Sequence, residues 1–395
     1  MPARRSIAMY IYGNMDKSNL TPVEIWERWI TGDRPFAREL ELLTVCELAD
    51  EVRSPAFGIT SENAAAFVGT KADLFFSVKG ELHNFPLQST AFLETLWHFW
   101  LPLALQLSAS KQSLGRTLIQ GILGGQGTGK TTLAKILKLI LGKLGHSTVS
   151  LSLDDFYKTY ADRRQLQKAD PRLIWRGPPG THDVELGIEV LDKLRCSQSA
   201  ELELVENSQS NSTAPGKIKN IEIPRFDKSA WGGAGDRTDP EIVSGADIVL
   251  FEGWFAGVRP VGEDRLNGFL ERAPFPIVTE GDRQFARDMN AKLHDYVPLW
   301  NRLDKLIVLY PQDYRLSQAW RNQAEREMVA AGKSGMSEAQ INQFVEYFWK
   351  ALHPELFIKS MVGNSDRVDL AVEIESDRTV SKISQPKEKT CLVLP

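Results

Sequence analysis

The run Gly124-Gly125-Gln126-Gly127-Thr128-Gly129-Lys130-Thr131 spells G-x-x-x-x-G-K-T, and it constrains this chain more than any other segment. Glycines at these places let the backbone adopt positive φ and aim a row of N–H groups at one point. A helix that starts directly afterwards adds its free amide ends and the positive pole of its dipole. Lys130 can then reach outer phosphates, and the hydroxyl of Thr131 can hold a divalent cation. The pattern has this meaning only between a strand and a helix, and both neighbours are present. Thr117 to Leu123 (TLIQGIL) is a short apolar run, read as a buried strand. Leu133, Ile136, Leu137, Ile140, Leu141 and Leu144 recur at helical spacing, and Gly145 is placed to stop the helix. Gly124, Gly125, Gln126, Gly127, Thr128, Gly129, Lys130, Thr131 and Thr132 are therefore expected to bind the phosphates of a nucleoside triphosphate with its Mg²⁺. No N-K-x-D base-reading motif occurs, which argues against a switch GTPase.

Further along, Ser147 to Leu153 (STVSLSL) reads as a second strand, and strand–helix–strand order implies a parallel sheet with a right-handed crossover. Ala246 to Glu252 (ADIVLFE) and Lys305 to Tyr310 (KLIVLY) are further apolar strands, and Ile221 to Pro224 is a short one. Helical patterns cover 184–195, 317–331 and 337–352. The expectation is an α/β fold over 111–376, with a parallel central sheet flanked by helices and ligands at the carboxyl ends of its strands. Within it, 196–220 is rich in Ser, Asn, Gln and Glu and reads as a polar, solvated insertion. Residues 1–110 read as a helical N-terminal region of unknown role. In it, Thr21 with Glu24 three residues on forms a capping box. Ala91 to Leu107 is apolar but contains Glu94, His98 and Gln106, so it reads as a buried helix and not a membrane span. The polar stretch 377–395 reads as a loose tail.

Lys plus Arg number 47 against 51 Asp plus Glu, a net charge of −4, which argues against a nucleic-acid partner. Phosphate must be bound by local geometry. Cys46, Cys196 and Cys391 are too few and too widely spaced for a disulfide framework or a zinc site. A reducing compartment fits, read here as cytoplasmic, though an organellar location would leave the same marks. Arg4 and Arg5 are not followed by the apolar run of a secretory signal.

Acidic residues follow two of the strands. Asp154 and Asp155 end the second, beside the phosphate loop. A carboxylate there can orient a hydroxyl and accept its proton, or hold Mg²⁺ through water. A solvated loop acid or a helix cap would show the same residues. Ile248 to Gly253 ends in Glu252, the arrangement in which a buried strand presents one carboxylate to a metal shell. Ile223 to Arg237 combines a strand with a glycine-rich, charged loop, where Arg225, Lys228 and Arg237 could hold a carboxylate or phosphate. Arg176 to Asp183 precedes a helix and contains His182. Arg315, Arg321 and Arg326 follow the last strand, where a closing lid or an exposed helix face would be equally consistent.

Together, the phosphate loop, Asp154-Asp155-Phe156-Tyr157 and Glu252-Gly253 resemble the phosphoribulokinase, uridine kinase and pantothenate kinase group over residues 115 to 360. In that group the second strand ends in D-x-F with the first Asp as base, a register that selects Asp154. Longer segments resemble the D-glycerate 3-kinases of plant and cyanobacterial type: GGQGTGKTT at Gly124, SLDDFYKT at Ser152, RGPPGTHD at Arg176, IPRFDKSAWGGAGDR at Ile223, FEGWFAGVRP at Phe251, WRNQAE at Trp320 and GMS at Gly335. Uridine kinases carry a Tyr-Asp pair and a His-x-Arg at the Ile223 segment. This chain has Phe226-Asp227 and no His there.

The resemblance implies a P-loop kinase that uses ATP and Mg²⁺ to convert D-glycerate to 3-phospho-D-glycerate in photorespiratory carbon recovery. It implies Asp154 as base, with Lys130 and a lid arginine, Arg315 or Arg321, on the transferring group. Tyr157, His182, Arg225, Asp227, Lys228 and Arg237 would line the acceptor pocket with Asp154. Thr131, Glu252 and Asp154 would face the metal. The residues themselves leave open another small acceptor, such as pantothenate or a nucleoside, and a regulatory ATPase with no acceptor. They do not fix an oligomeric state.

Overall fold

In the computed structural model, which describes residues 20–32, 34–84, 89–207, 220–330 and 336–386, the chain divides into two compact units, Met1–Leu103 and Ala104–Pro395. The first is helical, with α1 Pro22–Thr31, α2 Ala37–Leu48 and α3 Ala64–Val78 as its longer members. Thr21 caps α1 as the sequence predicts, its side chain accepting from the Glu24 N–H while the Glu24 carboxylate accepts from the Thr21 N–H. The unit's core is aromatic: Trp26, Trp29, Trp97 and Phe75 lie ring to ring at 5.6–6.5 Å. Inside it, the fully buried Lys71 is paired with Glu47 and sits 4.1 Å over the Trp97 ring. Burial pulls its ammonium down to about 8, and Glu47 pushes back. The apolar segment near residue 100 is helical with an inserted π-turn, Leu96–Trp100. Among the described residues no helix is long and apolar enough to cross a membrane.

The second unit is built on a six-stranded sheet. Its strands are β1 Leu118–Gly124, β2 Thr148–Ser152, β5 Ile248–Gly253, β6 Lys305–Pro311, β7 Leu370–Ile374 and β8 Val380–Ser384, in the order β2-β5-β1-β6-β7-β8. All pairings are parallel except β7–β8. β1 lies at the centre and every one of its residues is buried, so a strand covered on both faces reads as a continuous apolar run. Its parallel neighbours bring Gly124, Ser152, Glu252 and Pro311 to one edge of the sheet. The helices α4 Lys130–Lys143, α5 Val184–Asn207, α6 Leu316–Ala330 and α7 Glu338–Ala351 accompany it.

Three expectations are corrected. The region read as a loose tail contributes β8, whose Ile383 is buried while its neighbours are not. So polar a strand declares itself only by pairing with β7, and 387–395 lie outside the described residues. The helix expected to end at 195 continues as α5 to Asn207, because Ser, Gln and Glu do not by themselves stop a helix. Residues 208–219 lie outside the described residues. Finally, β3 Ile221–Asp227 does not join the central sheet. It pairs antiparallel with β4 Asp236–Val243, and the glycine-rich segment between them is the turn of that hairpin.

Candidate active site

β1 ends at Gly124 and α4 begins at Lys130, so the five residues between them must turn in a short space. Gly129 caps the helix with φ 86°, and Gly127 has φ 78°. A Cβ at Gly127 would lie 2.6 Å from the Cβ of Trp320, a residue buried in α6. The loop is held from within: the Thr128 hydroxyl and the Lys130 Nζ each donate to the Gly125 carbonyl at 2.9 Å. Burial lowers the Lys130 ammonium, against the opposing pull of Glu252 and Asp154. The Thr131 hydroxyl donates to Glu252 Oε1 at 2.7 Å. Thr131 and Thr132 are exposed in the first turn of α4. Thr131 and Glu252 are therefore two hard oxygen donors side by side at the head of the loop. Among the described residues no group of three or more His, Cys, Asp or Glu forms a metal cage. The Thr131–Glu252 oxygen pair is of the kind that Mg²⁺ could use, since it takes one or two protein oxygens and leaves the rest to phosphate and water.

Asp154 and Asp155 share a 3₁₀ turn, Leu153–Phe156, at the end of β2, and the fold divides their work. Asp155 accepts from the Ser152 N–H at 2.9 Å and from Arg225 at 3.0 Å, which ties it into the turn. Burial raises its carboxyl. Asp154 Oδ2 accepts from Lys228 Nζ at 2.6 Å. Burial would push Asp154 up as well, but the Lys228 charge and hydrogen bonds from Lys228 and Tyr157 outweigh it, and its carboxyl is held below the ordinary value. Asp154 is thus an ionised acceptor facing Lys130, Lys228 and Tyr157.

The wall around Asp154 comes from distant segments. The Tyr157 ring stacks on His182 at 4.5 Å. His182 Nδ1 lies 2.8 Å from the Tyr296 hydroxyl, which accepts from the Gly180 N–H at 2.9 Å. Burial holds this imidazole neutral, at about 3. Arg237 donates to the Tyr157 carbonyl at 3.0 Å and to Asp183 at 2.8 Å. Arg176 donates to the Gly233 and Ala234 carbonyls, and Arg163 to those of Ala234 and Gly235. The β3–β4 turn that carries Lys228 is therefore strapped down at its far end.

The structure thus gathers Lys130, Thr131, Asp154, Tyr157, Lys228 and Glu252 at one sheet edge, with His182 and Arg237 behind Tyr157. Other candidates point elsewhere. Arg225 is engaged by Asp155, Glu241 and the Ser150 carbonyl. Asp227 closes its own turn on Ser229. Arg315 is 70 % exposed and paired with Asp313. Arg321 pairs with Glu325 at 3.0 Å, one residue beyond the Trp320 that backs the phosphate loop. Sequence reasoning passed over Arg163, Arg176 and Tyr296 as site residues. Arg176 opens the RGPPGTHD segment, a usable signal. Arg163 and Tyr296 sit in stretches without a motif, and only the fold brings them in.

The fold and this site define a P-loop kinase. Within that class, the chain belongs to a family that includes two yeast kinases, and it is similar to D-glycerate 3-kinases. It is 31 % identical over 304 residues to the chloroplastic D-glycerate 3-kinase of Arabidopsis thaliana, an alignment covering 72 % of this chain and 60 % of the plant enzyme. It is 34 % identical over 242 residues to the uncharacterized kinase mug58 of Schizosaccharomyces pombe, covering 59 % of this chain and 79 % of that one. With the probable ATP-dependent kinase TDA10 of Saccharomyces cerevisiae it shares 30 % identity over 272 residues, 65 % of this chain and 84 % of the yeast protein. Among solved structures, D-glycerate 3-kinase from Cryptococcus neoformans var. grubii superposes with a TM-score of 0.61 at 26 % identity, covering 71 % of this chain and 96 % of that one. No family model matches the chain.

Proposed function

We propose that this protein transfers the γ-phosphoryl group of ATP to the C3 hydroxyl of D-glycerate, giving ADP and 3-phospho-D-glycerate. The observation that carries the proposal is Asp154, an ionised carboxylate 2.6 Å from Lys228, set at the same sheet edge as the phosphate loop. The names of the Arabidopsis and Cryptococcus relatives support glycerate as the acceptor. Glycerate is small and anionic, so its pocket needs a cation for the carboxylate and an acceptor for the hydroxyl. Lys228, 61 % exposed in its side chain, offers the first, and Asp154 the second.

In this proposal the loop amides and Lys130 hold the β- and γ-phosphates. Asp154 takes the proton of the acceptor hydroxyl as its oxygen bonds to the γ-phosphorus, and the bond to the β,γ-bridging oxygen breaks to release ADP. Thr131 and Glu252, with Asp154 near them, would hold a magnesium ion, which supplies charge neutralisation for the phosphates when bound. Lys130 offsets charge on the transferring group, together with Arg315 or Arg321 once a nucleotide draws one of them from its present acid. Tyr157, backed by His182 and Arg237, keeps Asp154 oriented. An acceptor panel with ATP, comparing D-glycerate, pantothenate and uridine, tests the assignment. A phosphorylated product with D-glycerate and none with the other two is expected, and turnover of either of the others in preference would overturn it.

A further inference from the structure

A mainly apolar cleft, partly open to solvent, lies at the carboxyl ends of β5, β1 and β6. Its walls include Gln126 of the phosphate loop and the rings of Trp254, Tyr310, Tyr314, Phe348 and Trp349. The polar tips of three of these are committed elsewhere. Trp254 Nε1 donates to the Gly177 carbonyl at 3.1 Å, the Tyr310 hydroxyl to Glu373 at 3.1 Å, and the Tyr314 hydroxyl to the Phe275 carbonyl at 3.1 Å. Phe348 is seated against Gly177, where a Cβ would lie 2.2 Å from its ring. The rings are thus fixed and turn carbon surface inward. Two amides share the wall with them: Gln312 donates to Glu375 at 2.9 Å, whereas the Gln126 Oε1 is buried and has no hydrogen-bond partner among the described residues. A buried acceptor of that kind asks for a donor. D-glycerate has no apolar surface to fill such a space.

We propose that this cavity is a second binding site, for a flat aromatic or heteroaromatic molecule carrying an N–H donor, and that its occupant alters the affinity for ATP. The coupling follows from shared parts. Gln126 adjoins Gly125, whose carbonyl holds Lys130 and Thr128, so a ligand that fixes Gln126 acts on the loop that grips phosphate. Linkage requires the effect to be mutual.

Isothermal titration of the full chain with indole, with 1-methylindole and with ATP tests this without any turnover. Indole should bind at one site, and 1-methylindole, which lacks the donor, about tenfold more weakly. Saturating indole should change the ATP Kd several-fold, with ATP changing the indole Kd by the same factor. Val345 lines the cavity and is buried outside the phosphate loop. Val345→Trp should abolish indole binding and still bind ATP. If it fails to bind ATP, Ser317→Leu, on another wall, serves as the filling variant. No saturable indole binding, equal binding of both indoles, undiminished binding in a filled variant that still binds ATP, or an unchanged ATP Kd would overturn the proposal.

Discussion

The two halves of the candidate site are made in different ways. The nucleotide half is a single stretch, Gly124 to Thr131, whose shape follows from glycines and one strand–helix junction. The acceptor half draws on Asp154 and Tyr157, on Gly180 to Asp183, on Lys228 and Arg237, and on Tyr296, pieces far apart in the chain and joined by ion pairs and ring stacking. The first half is local and can be recognised from its own residues. The second exists only once the β3–β4 hairpin has docked beside β2. Substitutions in one half should therefore spare the other.

The largest expected effect is at Asp154. Asp154→Asn removes the proton acceptor and should lower kcat by about 10³-fold, with the ATP Kd measured by titration unchanged. Loss of ATP binding together with kcat would show that the halves are not separable. Next is the reverse case. Gly127→Ala places a methyl 2.6 Å from Trp320 at a φ of 78°, and should weaken ATP about tenfold or more while leaving the binding of D-glycerate alone intact in equilibrium dialysis. A smaller effect is expected at Arg237, which braces the hairpin without touching the phosphate loop. Arg237→Ala should raise the KM for D-glycerate about tenfold and leave that for ATP flat in steady-state kinetics. The smallest is a shift in a profile. Tyr157 helps hold Asp154 below its ordinary value, so Tyr157→Phe should raise that pKa. Because the ionised form is the active one, the acid limb of kcat/KM against pH should move to higher pH. An unmoved limb would remove Tyr157 from the tuning of Asp154.

The same contrast explains what could be read from the residues. β1, β5 and β6 are largely buried on both faces and announce themselves as apolar runs, β2 shows through its β-branched residues and alternating burial, and the phosphate loop carries its own spacing. β4 and β8 are half-solvated, with polar sequences such as DRTDPEIV and VSKIS, and their strand character comes from a partner and not from a pattern. For the same reason Arg225 looked equal to Arg237. Only the docked hairpin shows that Arg225 is committed to Asp155 and Glu241 while Arg237 braces Tyr157. The resemblance fixed the choice of Asp154 over Asp155. The structure adds a physical difference: Asp155 ties the turn, and Asp154 faces two lysines. The Lys71–Glu47 pair of the helical unit left no mark in sequence, since nothing local distinguishes a buried lysine from a solvated one.

One measurement goes directly to the joining of the two halves: ADP release from ATP followed with and without D-glycerate. Phosphoryl transfer between a P-loop and an Asp154-centred acceptor pocket predicts that release is slow alone and rises by orders of magnitude when D-glycerate is added, with 3-phospho-D-glycerate formed one for one. Equal rates with and without it would identify an ATPase that has no such acceptor and would contradict the kinase chemistry proposed for Asp154.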